Sequence, residues 1–154
     1  MYKIKIAKDK YELVKKYLET ISNIPSLIRT KREYINLRRD GCGGTGGSGS
    51  KSCNNNTEDR YIAIIDAEFA ITRYEEELQT AARLIDGNML PSLRRTALEK
   101  RYITSRSFLE ISDELGYSLS YVREYVIPAA IEELTIALSS KTLEQMNVFL
   151  SLSV

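Results

Sequence analysis

Between positions 58 and 86, Ile64, Ala67, Ile71, Tyr74, Leu78, Ala81 and Ile85 recur at alternating steps of three and four. That spacing lays one apolar stripe along an α-helix and fits no strand, whose side chains alternate in twos. The segment reads as a single long amphipathic helix ended by Gly87, with the acidic run Glu75, Glu76 and Glu77 beside its seam. A stripe of this length must be covered. Either the amino-terminal part folds over it, or a second copy supplies the cover and makes a homodimer through 58–87.

Six of the eight glycines fall within 41–49, and the stretch 41–57 has no apolar side chain except Cys42 and Cys53. It reads as a flexible Gly/Ser/Asn linker rather than a phosphate-cradling loop, because the GxxxxGK[ST] spacing is missing. Two thiolates without further ligands cannot close a tetrahedral zinc site, so reduced, incidental cysteines are expected. Upstream, Tyr11, Val14, Leu18 and Ile21 predict a helix over 8–22, and Asn23-Ile24-Pro25 breaks it and starts a second, with Pro25 in the first turn. Residues 1–7 alternate as a short strand would, but no partner strand is evident. On the second helix Arg29, Arg32 and Arg39 share one face while Ile28 and Ile35 lie on another. That basic face either pairs with the acidic helix beyond the linker or meets nucleic-acid phosphate.

The net charge of +1 conceals an uneven distribution. Residues 1–40 hold eleven Lys/Arg against five Asp/Glu, a charge of +6; residues 61–92 stand at −4 and residues 93–154 at −1. The chain has no histidine, which excludes Ser/His and Cys/His dyads and histidine-rich metal sites. The acids Glu75 to Glu77 sit on a helix face without a positioned partner, so no enzyme, catalytic residue, cofactor or metal is expected. No apolar run reaches the ~18 residues of a membrane span, and no export signal opens the chain, so a cytoplasmic location is expected.

The most informative text is 92–138. Leu93, Ala97, Leu98 and Tyr102 predict one helix, and Ser107 with Glu110 forms a capping box that opens a second, burying Phe108, Ile111 and Leu115. Gly116 supplies a tight turn, and Ser118 caps a third helix whose Val122 and Tyr125 face inward. Two short helices joined in this way form a helix-turn-helix, whose second helix enters the major groove. Leu119, Ser120, Arg123 and Glu124 then point outward near its amino terminus. Arg123 suits guanine, Ser120 suits phosphate or base, and Glu124 suits cytosine. Arg94, Arg95, Arg101 and Arg106 are available to gather on one side for phosphate. Pro128 disfavours helix at Ile127 and is expected to end or kink the recognition helix there. Beyond 138, Thr142 to Gln145 spells another capping box, and the segment 139–154 reads as a helix over the core or as an apolar tail for a partner.

The run Ser107-Phe-Leu-Glu-Ile-Ser-Asp-Glu-Leu-Gly-Tyr-Ser118, followed by Tyr121-Val122-Arg123 and later Ala130-Ile131-Glu-Glu-Leu134, resembles region 4 of the sigma-70 factors. Glu110, Ile111, Leu115, Gly116, Ser118, Val122 and Arg123 agree with that family's pattern in order and spacing. The match covers about 45 residues, and nothing else in the chain resembles a sigma factor. As a whole the chain is similar to the phage late-gene regulators of the ArpU/RinA type. The resemblance implies an all-α protein that activates transcription by binding double-stranded promoter DNA and working with the host RNA polymerase. Its implied DNA-binding residues are Arg106, Ser107, Ser118, Leu119, Ser120, Tyr121, Arg123 and Glu124, with phosphate contacts from Arg29, Arg32, Arg39, Arg94, Arg95 and Arg101. The competing expectation is an adaptor or anti-factor that keeps the helix-turn-helix shape without binding DNA. The expected domains are a basic helical arm (1–40), the linker (41–57), the long helix (58–87), the helix-turn-helix (92–138) and a carboxy-terminal helix or tail (139–154).

Overall fold

The computed structural model describes residues 2–40 and 57–153, and the stretch read as a linker, with Cys42 and Cys53, lies outside the described residues. The protein is all-α. Its elements are α1 (Tyr2–Asp40), α2 (Thr57–Asn88), α3 (Leu93–Leu98), a π-helical turn (Glu99–Ile103), α4 (Phe108–Leu115), α5 (Leu119–Tyr121), a second π-helical turn (Val122–Val126), α6 (Ile127–Ala137) and α7 (Ser140–Ser153). Among the described residues no helix is long and apolar enough to cross a membrane.

The alternation at 1–7, which had no partner strand, is helical, since α1 begins at Tyr2. Three local expectations are corrected, the first being the break at Pro25, through which α1 runs unbroken. An interior proline costs about 3 kcal/mol, but Ile21, Ile24 and Ile28 recur around it at 0%, 1% and 8% exposure, and their burial holds the segment helical. Gly87 does not end α2 either. The helix continues to Asn88, Met89 donates its amide to the Ile85 carbonyl at 3.0 Å, and the Asn88 side chain caps the Leu84 carbonyl at 2.8 Å. Helix α7 starts earlier than the Thr142 box implies: Ser139 Oγ accepts from the Thr142 amide at 3.3 Å.

The chain forms two compact units, Ile24–Glu77 and Met1–Asn23 with Leu78–Val154, so the boundaries fall inside α1 and α2. In the smaller unit Ile35, Ile64 and Ala67 make a buried cluster with Tyr34 and Ile71 packed against it. The ion pairs Arg32–Glu75 (3.1 Å) and Arg39–Glu68 (2.7 Å) flank it. The first half of the α2 seam is therefore covered from within the chain, by α1, and the basic face of α1 is paired with acids of α2.

In the larger unit Ala81 and Ile85 of the seam are fully buried and Leu78 is half-buried, and Val14, Leu18 and Ile21 of α1 are fully buried. Helix α3 packs on α6, and α4 packs on both π-helical turns and on α5. Leu98, Ile111, Val122, Ile131 and Leu134 supply the centre, each at most 1% exposed. Helix α7 closes this core through Leu143 and Met146, and Phe149 meets the Tyr17 ring edge-on at 5.5 Å. Its last turn leaves Leu152 exposed.

The second π-helical turn resolves the conflict that Pro128 poses. Ile127 donates its amide to the Val122 carbonyl, five residues back, and Val126 and Ile127 keep right-handed helical dihedrals. A π-helical turn takes up one extra residue and loosens the ladder where proline cannot donate. Helix 119–137 therefore continues through the proline instead of ending there.

Candidate nucleic-acid interface

The two helices around Gly116 are built by their caps. Ser107 has an extended backbone, and its Oγ accepts from the Glu110 amide at 3.1 Å while donating to Glu110 Oε1 at 3.2 Å. The expected box thus forms, except that Glu110 holds the hydroxyl rather than the Ser107 amide. Helix α4 ends as the Gly116 and Tyr117 amides both reach the Ser112 carbonyl, at 2.9 and 3.2 Å. Gly116 there has φ +75°, and a Cβ at this position would meet nothing within 4 Å. Glycine is needed for its left-handed conformation, not for space. Ser118 then caps the next helix, its Oγ accepting from the Tyr121 amide at 3.2 Å.

This arrangement sinks Val122 and Val126 and leaves Leu119, Ser120, Tyr121, Arg123 and Glu124 exposed. Tyr125, expected inside, is 64% exposed. The π-helical turn carries the buried position from i+3 to i+4, so Val126 takes the inward place. Phe108 and Leu115 are half-buried, and Ile111 alone of the three expected core positions of α4 is sunk completely.

Turning Tyr125 outward creates a feature that spacing alone had not singled out. Tyr117 and Tyr121 lie 5.4 Å apart at 32°, and Tyr121 and Tyr125 lie 5.8 Å apart at 29°. The three rings form an exposed stack along one face, with Tyr117 and Tyr121 each 44% exposed. Among the described residues their hydroxyls make no hydrogen bond within the chain. The signal was present in the text Gly116-Tyr-Ser-Leu-Ser-Tyr-Val-Arg-Glu-Tyr125, where tyrosine returns every fourth residue.

Most of the arginines assigned to phosphate are engaged with acids or carbonyls of the chain. Arg95, 19% exposed, binds Asp86, Glu99 (2.9 Å) and the Met89 carbonyl (3.1 Å), and its hydrogen bond to Glu99 keeps the guanidinium firmly protonated. Arg101 lies 4.0 Å over the Phe108 ring and donates to the Arg106 carbonyl at 3.1 Å, with its Nε buried and unpartnered. Arg106 pairs with Glu114, which also takes Lys100. Arg94 lies 3.7 Å from Glu133, and Arg32 and Arg39 hold Glu75 and Glu68. Among the described residues Arg123 meets only its neighbour Glu124, at 3.8 Å, and Arg29 is exposed without any of these pairs. Next to the paired Glu75, burial raises the Glu77 carboxyl above its usual range, with Arg73 opposing the shift and Glu76 adding to it.

Ser118, Leu119, Ser120, Tyr121, Arg123 and Glu124 of the expected set are thus exposed together around the start of α5, while Ser107 lies at the opposite end of α4 as its cap. Arg29, Arg32 and Arg39 belong to the other compact unit. Among the described residues no group of three or more Cys, Asp or Glu side chains is placed to hold a metal ion. No protein-family model matches the chain, and no curated protein or solved structure shows significant similarity to it.

Proposed function

We propose that this chain is a phage-type transcription regulator, an activator that binds promoter DNA through α4 and α5 and works with the host RNA polymerase. The observation that carries this reading is the exposed amino-terminal face of α5. Ser118 caps it, Gly116 turns the chain into it, Val122 anchors it, and Leu119, Ser120, Arg123 and Glu124 are left outward. Such a helix end suits base edges in the major groove, with Arg123 for guanine and Glu124 for cytosine. The in-order agreement of Glu110, Ile111, Leu115, Gly116, Ser118, Val122 and Arg123 with sigma region 4 supports the same use. With so many arginines held by acids, the tyrosine hydroxyls are the available neutral donors to phosphate oxygens.

Fluorescence anisotropy with labelled promoter-proximal phage DNA at two salt concentrations tests the reading. Saturable binding that Arg123→Ala weakens supports it, and no binding at low salt sinks it.

One observation favours a second reading, a protein-binding adaptor or anti-factor. Arginines held by acids, together with three exposed tyrosines, resemble a protein interface more than a phosphate track. Co-purification with RNA polymerase that survives Arg123→Ala and is lost in Tyr121→Ser/Tyr125→Ser decides for the adaptor.

A further inference from the structure

Helix α2 is apolar on two faces within 61–71. Ile64, Ala67 and Ile71 turn toward α1, while Tyr61, Ile62, Ile65 and Phe69 are 58%, 57%, 48% and 67% exposed. Single exposed apolar residues need no explanation, but four large ones within about two and a half turns form a stripe. Ile62, Ile65 and Phe69 repeat the three-and-four step of the covered seam.

We infer that this second stripe is the seam of an antiparallel homodimer, in which α2 of one copy lies against α2 of the other about a two-fold axis near Ile65. A two-fold interface must be self-complementary, and the charges here meet that condition in one orientation only. The register that sets Ile62 against Phe69 of the partner copy brings Ile65 beside its own counterpart and sets Glu58 against Arg73. Symmetry repeats that ion pair at the opposite end. A parallel pairing in register sets Glu58 on Glu58 and Arg73 on Arg73, which is repulsive. Both side chains are exposed, and among the described residues neither makes an ion pair within its own chain, although Arg73 acts electrostatically on Glu77. The contact spans 58–73, about 24 Å of helix at ~1.5 Å per residue, which is small for a stable interface. Dimerisation in the micromolar range follows. The inference stands apart from the DNA reading, since it rests wholly on α2.

Sedimentation equilibrium of the full chain from about 1 to 100 μM, under reducing conditions so that Cys42 and Cys53 cannot cross-link copies, tests it. The expected result is a concentration-dependent monomer–dimer equilibrium. Phe69→Glu is expected to sediment as monomer throughout with an unchanged far-UV circular dichroism spectrum. Glu58→Arg and Arg73→Glu are each expected to weaken dimerisation at least threefold, and the Glu58→Arg/Arg73→Glu double variant to restore it. A wild-type chain that stays monomeric, or a dimer indifferent to Phe69→Glu, overturns the proposal. Single charge variants without effect overturn the antiparallel register.

Discussion

The Ser105 hydroxyl donates to the Ser22 carbonyl at 2.7 Å, joining the loop before α4 to α1 across 83 residues of sequence. Ser22 lies in the helical turn before Pro25, and Ser105 is the one non-glycine with positive φ, +55°, among the described residues. The strained residue thus supplies a donor to α1 next to the proline. Ser105→Ala keeps the backbone strain and loses the bond, so a destabilisation of about 1 kcal/mol is expected in urea unfolding. Ser105→Gly loses the same bond but relieves the left-handed conformation, so it is expected to be the milder change. An alanine variant no worse than glycine would show that the hydrogen bond contributes nothing.

Gly116 is expected to resist substitution for a purely conformational reason. Space for a Cβ exists, so Gly116→Ala is expected to cost roughly 1–2 kcal/mol, the penalty of left-handed backbone, with Gly116→Asn in between. Thermal unfolding monitored by circular dichroism ranks the three.

Leu134 is fully buried, on a helix that packs against α3. Leu134→Ala is expected to destabilise by about 2–5 kcal/mol through lost burial and the cavity left behind. Ile136, 79% exposed two positions away, is the control, and Ile136→Ala is expected to change stability by less than about 0.5 kcal/mol.

Burial pushes the Tyr102 hydroxyl from 10.0 up to about 12, Arg101 opposing the shift and Glu19 and Tyr11 adding to it. The folded state therefore holds this proton over a pH range where the unfolded chain releases it. Its contribution is complete below pH 10 and is lost as pH rises toward 12, at about 1.4 kcal/mol per pH unit. Urea unfolding at pH 9 and pH 11 is expected to show that loss in the wild type and a smaller one in Tyr102→Phe.

If DNA is the ligand, the salt dependence of binding is expected to be shallow. With most of the candidate DNA-contacting arginines held by acids, one to three phosphate neutralisations give a slope of log K against log salt of about −1 to −3. Arg123→Ala is expected to flatten it by up to about one, while Tyr121→Phe and Tyr125→Phe lower affinity at every salt concentration and leave the slope alone. A slope steeper than about −5 would mean that the internal ion pairs open on binding.

What the sequence reveals here is what local chemistry decides. The repeat from Ile64 to Ile85 and the caps at Ser107, Gly116 and Ser118 are legible because a helical stripe and a terminal amide each need only near neighbours. Pro25 misleads for the same reason: the proline rule is local, whereas the burial of Ile21, Ile24 and Ile28 that overrides it depends on packing. The capture of Arg32 by Glu75 and of Arg106 by Glu114 depends on which helix lies alongside, and spacing holds no record of that. Tyr125 is intermediate. Its four-residue step from Tyr121 is in the text, but the π-helical turn that exposes it forms with the packing of Val126.

That turn also makes the helix over 119–137 a shaft in two parts. Because the turn already absorbs one extra residue, removing one residue between 122 and 127 is expected to restore the ordinary ladder and leave the two parts in phase. Removing one from the regular ladder of α6 instead turns everything on its amino-terminal side by about 100° and re-aims Arg123, Glu124 and the tyrosine stack. The turn is thus a point of slack, where a single-codon deletion leaves the address of the exposed face unchanged.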